Sequence, residues 1–168
     1  MELIEGTVEI GADRFDDVEP FVTELVGIGS EHDVTVQAFD ARYVVSRRHL
    51  ERAVEVADRE RSRGDSIVRD RGIEITLYAA GRRQIDRALE MGVSSGVTPL
   101  VVLVDGPGNE HAAAEDVQER LEPDETLGEY DETRVREFYD ITDAELDATE
   151  ADLEALVLER VALLVIER

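Results

Sequence analysis

Segments patterned as strands alternate along this 168-residue chain with segments patterned as helices, and that alternation restricts it to an α/β fold. Residues 2–10 read as a first strand and 34–39 as a second. Between them Phe15, Val18, Val22, Leu25 and Val26 recur at helical spacing. Ser46 is placed to cap a long helix that ends at Gly64, with Leu50, Ala53, Val54 and Ala57 along its apolar side. A short helical turn over 65–71 precedes a third strand at 73–79. After Gly81 the pattern predicts a helix over 82–91, with Ile85, Ala88 and Leu89 as its buried stripe and Gly92 just past its end.

Pro99 opens a fourth strand at 100–104, closed by Asp105-Gly106-Pro107-Gly108. An acidic helix near 110–121, an irregular stretch with Pro123 and Gly128, and a short helix near 132–139 follow. Thr142 with Glu145 makes a capping box, and Thr149 with Asp152 precedes a helix running to the end of the sequence. The expected architecture is one domain spanning 1–168, a mixed sheet of about four strands packed by helices.

Composition closes several classes of chemistry. With no cysteine there is no thiol nucleophile, no Cys-zinc site and no iron-sulfur ligation. Lysine is also absent, which removes the P-loop lysine and Schiff-base chemistry. A net charge of −23 with 5% aromatics fits a protein of an extreme halophile, whose acidic surface stays hydrated in concentrated salt. The opening residues lack a basic segment followed by an apolar core, and no window approaches 18 consecutive apolar residues. The expectation is a cytoplasmic protein.

The positive charge is segregated. Of 18 basic residues, all arginines, 12 lie between 41 and 90 beside 9 acids, so that segment is net +3. The remainder carries 6 arginines and 32 acids, net −26. On a helical wheel Arg48, Arg52, Arg59 and Arg63 share one face opposite Leu50, Ala53, Val54 and Ala57. A solvated face accounts for this as readily as a ligand does, helped by a Glu55 to Arg59 pair, although Arg48 with Arg52 and Arg59 with Arg63 set like charges four apart. In Tyr78-Ala79-Ala80-Gly81-Arg82-Arg83-Gln84, a strand passing into a helix would aim free N–H groups and two guanidinium groups at a phosphate. An ordinary turn with surface arginines is the plainer alternative. Phe39-Asp40-Ala41-Arg42-Tyr43, leading into Ser46-Arg47-Arg48-His49, interleaves aromatics with arginine as a single-strand binder would, unless Phe39 and Tyr43 are core and His49 belongs to its helix.

His32, His49 and His111 are scattered without metal-ligand spacing, and neither G-x-S-x-G nor a strand-linked G-x-G-x-x-G occurs. No catalytic residue, cofactor or metal is expected. A binding module is favoured over an enzyme.

The runs Val36-Gln37-Ala38-Phe39-Asp40-Ala41 and Ser46-Arg47-Arg48-His49-Leu50-Glu51-Arg52-Ala53, then EITLYAAGRRQIDRALEM over 74–91, resemble the CGI-121 family. Leu158-Glu159-Arg160-Val161-Ala162-Leu163-Leu164 is similar to that family's closing helix. The resemblance implies a non-catalytic subunit of the KEOPS complex, which installs N6-threonylcarbamoyl on the adenosine next to the anticodon of tRNA. Such a subunit docks on and regulates the complex's small RIO-type kinase/ATPase, and in archaeal members it holds the single-stranded CCA end of the tRNA. Carried onto this chain, Arg82, Arg83 and Gln84 form the RNA seat, with Arg42, Arg48, His49 and Tyr78 around it. Family members mix lysine with arginine, and here every basic position is arginine. A protein-binding adaptor that activates the kinase without touching RNA is the alternative. The run Val161-Ala162-Leu163-Leu164-Val165-Ile166 is apolar all round, so it is either buried within the domain or covered on one side by a partner.

Overall fold

The computed structural model describes residues 1–12, 14–148 and 152–166. In chain order the elements are β1 (Glu2–Ile10), α1 (Val18–His32), β2 (Thr35–Asp40), α2 (Arg47–Ser62), α3 (Arg71–Ala80) and α4 (Ile85–Ala88). After these come β3 (Gly96–Asp105), α5 (Glu110–Gln118), β4 (Glu122–Pro123), α6 (Glu132–Phe138), α7 (Asp143–Ala148) and α8 (Leu153–Ile166). The protein is α/β, and its backbone gathers into two compact units: Met1–Ala41 with Gly92–Leu127, and Arg42–Met91 with Gly128–Arg168.

The first unit holds a four-stranded sheet in the order β2-β3-β1-β4, with every pairing antiparallel. Leu100, Val101, Val102, Leu103 and Val104 are all fully buried, which is why an uninterrupted apolar run takes an inner position as β3. Ile4 sits opposite Val102, and Val36 opposite Val104, so all four belong to one core. Phe21, Leu25 and Ile28 of α1 and Ala113 and Val117 of α5 complete that core. Each large side chain so enclosed contributes about 1.5–3 kcal/mol. Val22 and Val26, which recur at helical spacing, are 43% and 57% exposed, because the inward face of α1 runs through Phe21, Leu25 and Ile28.

The strand expected at 73–79 is not in the sheet; the fourth strand is the two-residue β4, paired with Gly6 and Thr7 of β1. A Cβ at Gly6 would lie 2.6 Å from the Glu122 carbonyl oxygen, so glycine admits β4 to this edge. Glu5 Oε1 then accepts from the N–H groups of Thr126 and Leu127 at 3.0 and 2.7 Å, and Thr126 Oγ1 donates to the Leu100 carbonyl at 2.7 Å. These bonds pin the chain that leaves β4.

The second unit is helical. Residues 73–79 lie within α3, a correction with a local cause: Asp70 accepts the Ile73 N–H at 2.9 Å as N-cap, and Gly81 ends the helix at φ 62°. Segment 65–70 forms no helical turn; Glu74 reaches from α3 to hold it, accepting from the Ile67 N–H at 2.6 Å. The helix expected over 82–91 shrinks to α4 and a following 3-10 turn, Leu89–Met91. Ala88 and Met91 face inward, while Ile85 and Leu89 are 41% and 45% exposed.

Thr142 caps α7 through the Glu145 N–H at 3.1 Å, and Asp152 caps α8 through the Ala155 N–H at 2.9 Å. Thr149, the other half of that second pattern, lies outside the described residues. Leu153, Leu156, Val157, Val161 and Leu164 are the buried side of α8, Leu163 and Val165 are half-buried, and Ile166 is exposed. No helix among the described residues is long and apolar enough to cross a membrane.

Candidate functional site

All seven residues anticipated at an RNA seat belong to the second unit, and α2 carries two of them. Ser46 accepts the His49 N–H at 3.3 Å, which starts α2 where the sequence places it. Leu50, Ala53, Val54 and Ala57 are buried as expected, and the arginines of the opposite face project outward. Arg48 is exposed with no carboxylate at ion-pair distance among the described residues. Arg52 bonds Glu55 at 3.3 Å, so the expected Glu55 to Arg59 pair gives way to an i,i+3 contact. Arg59 and Arg63 stand 3.7 and 3.9 Å from Oε1 of the buried Glu60.

His49 points inward. Its Nδ1 accepts from the Val45 N–H at 3.4 Å, so the proton resides on Nε2, which donates to the Ala79 carbonyl at 2.8 Å. Tyr139 Oη donates to the same carbonyl at 2.7 Å. Burial pushes the imidazole down to about 4, with the Ala79 bond opposing, and raises the Tyr139 phenol well above its ordinary value. Both rings are therefore neutral near pH 7 and tie α2, α3 and the residue after α6 together. Tyr78 is also fully buried.

Gly81 closes α3 at its C-terminal, electronegative end, and the Arg82 N–H is engaged by the Leu77 carbonyl at 3.1 Å. The strand-to-helix turn with free N–H groups is thus replaced by a helix stop. Arg82 bonds the Phe138 carbonyl and lies 3.4 Å from Asp140, with its guanidinium 5.4 Å from the Phe138 ring centroid. Arg83 and Gln84 are exposed on the turn between α3 and α4. Arg42 is half-buried, and its carbonyl accepts the Asp131 N–H at 2.9 Å.

Other arginines of the basic segment face carboxylates of their own unit: Arg47 with Glu51 at 2.7 Å, Arg71 with Asp58 at 2.9 Å, and Arg87 with Glu90 at 3.9 Å. A hollow of about 470 Å³ opens beside the Arg87–Glu90 pair, walled also by Tyr43, Phe138, Arg134 and Glu137. The Arg134 guanidinium lies 5.6 Å from the Tyr43 ring centroid. Arg134 escaped the sequence reading because it lies in an acidic stretch far from the basic segment. An aromatic with an arginine across one wall was the missing signal, and only the fold supplies it.

The second unit presents exposed arginines and carboxylates and a hollow walled by Tyr43 and Phe138. The chain matches the family described as kinase binding protein CGI-121 over residues 15–164, and it belongs to that family. A comparison with curated proteins finds no match.

Proposed function

We propose that this chain is a non-catalytic subunit of a KEOPS assembly, docking on and regulating its small RIO-type kinase/ATPase and holding the single-stranded CCA end of tRNA for N6-threonylcarbamoyladenosine formation in the cytoplasm. Membership of a kinase-binding family carries the reading. The segregated arginines support its RNA half. In this reading the exposed Arg83, Gln84 and Arg48 make the direct contacts, Arg82 and Arg42 add positive charge, and the buried His49 and Tyr78 support the helices that carry them. Arginine suits such a site in concentrated salt, where the Debye length falls to about 3 Å and only direct bidentate contact retains affinity.

Fluorescence anisotropy in high salt, with intact tRNA and tRNA trimmed of its CCA end, decides the RNA half. Tighter binding of intact tRNA is expected, weakened by about 1–3 kcal/mol in Arg83→Ala. Equal affinity for both tRNAs removes the tail-holding role.

A second reading, an adaptor for the kinase without RNA contact, draws on the ion pairs of Arg47, Arg71, Arg82 and Arg87. Capture of the kinase by wild-type protein and by the Arg82→Ala, Arg83→Ala double variant separates the two. Loss of kinase with unchanged RNA affinity favours the adaptor.

A further inference from the structure

We propose that Glu31, His32 and Asp116 bind a single divalent cation of the zinc type. Glu31 and His32 form the last turn of α1, and Asp116 lies on α5 in the same unit. His32 Nε2 is 2.7 Å from Asp116 Oδ2, and one ligand atom from each residue lies within 4.8 Å of the other two. A tetrahedral ion with ligands at about 2.1 Å sets them roughly 3.4 Å apart. Binding would open the His32–Asp116 pair from 2.7 Å and draw Glu31 inward from within 4.8 Å.

Charge also argues for a cation. Two carboxylates share this small volume with one imidazole, and neither has an arginine partner among the described residues. Arg120 does not relieve them: its Nη1 donates to the Asp116 main-chain oxygen at 2.9 Å, and its ion pairs are to Glu24 and Glu119 at 3.8 and 3.5 Å. The C-terminal end of α1 adds the negative potential of its carbonyls. One imidazole nitrogen with two carboxylate oxygens, and a fourth position open to water, suits zinc; the nitrogen discriminates against magnesium and potassium. Sequence spacing conceals the set, since His32 and Asp116 are 84 positions apart.

The competing account is a plain His32–Asp116 hydrogen bond fastening α1 to α5. Glu31→Gln tells them apart, because it leaves that bond intact. Chelator-treated full-length protein is titrated with Zn²⁺, and with Co²⁺ read by its visible absorption. One saturable equivalent is expected in the wild type. Glu31→Gln should weaken it at least about tenfold, the loss typical of a mere supporting group, and His32→Gln should abolish it. His111, 3.0 Å from Glu115 and 3.9 Å from Glu2, is the other place zinc might lodge, so His111→Gln must leave the titration unchanged. Uptake that fails to saturate at one equivalent, persists in His32→Gln, is indifferent to Glu31→Gln or disappears in His111→Gln overturns the proposal.

Discussion

Arg61 donates through Nη1 to Oε1 of Glu74 at 2.7 Å, and the Glu74 side chain has no exposed surface while Arg61 keeps 31% of its own. The pair joins α2 to α3. Arg61 also donates to the carbonyls of Val68 and Arg69, so one guanidinium and one buried carboxylate hold residues 67–69 of the connection.

Glu74→Ala should therefore destabilise the protein by about 2–3 kcal/mol, since it strands the Ile67 N–H and leaves a partly buried guanidinium without its carboxylate. Guanidinium denaturation measures the loss, and hydrogen exchange should place its largest effect at 65–70. A change below 1 kcal/mol would show that the connection is held by something else.

His49 gives the protein an acid sensitivity distinct from that of its many carboxylates. Its folded value of about 4 lies below the ordinary 6.5, so the unfolded chain takes up a proton first as pH falls. The stability of the neutral ring is complete above pH 6.5 and is lost down to about pH 4, with a limiting slope of about 1.4 kcal/mol per pH unit. Denaturation curves between pH 5 and 6.5 should fall with pH in the wild type and flatten in His49→Gln, whatever that variant's absolute stability. Parallel slopes would remove His49 as the cause.

Gly81 is the remaining sensitive point of the second unit. At φ 62° it takes a left-handed conformation, and a Cβ there would sit 3.1 Å from the Arg160 carbonyl oxygen on α8. Gly81→Ala should cost about 1–2 kcal/mol from conformation, plus the strain of displacing α8. Thermal unfolding reads it out, and an unchanged midpoint would mean that the α3 terminus relaxes freely.

The sheet strands β1, β2 and β3 and the start of α2 were legible because each carries its own signal: alternation, an unbroken apolar run, or a capping serine. Helix α3 was not. Its residues Ile75, Thr76, Leu77, Tyr78, Ala79 and Ala80 are all buried, so no polar face betrays a helical period, and the β-branched residues suggest a strand. Asp70 and Gly81 were the overlooked signals, a cap before and a left-handed stop after. Strand β4 is too short to leave a pattern. At the candidate site, Arg83, Gln84 and Arg48 stand at the surface, whereas His49 and Tyr78 are interior because α2 and α3 pack against each other, a relationship that a strand at 73–79 would have excluded.

Strand β4 has a consequence for how copies of the protein coexist at high concentration. It covers β1 over two residues and ends on Pro123, so along that border a newcomer meets a stub too brief to template a ladder. An arriving strand finds only that two-residue ladder on β4, and glycine at position 6 is what lets β4 fit against β1.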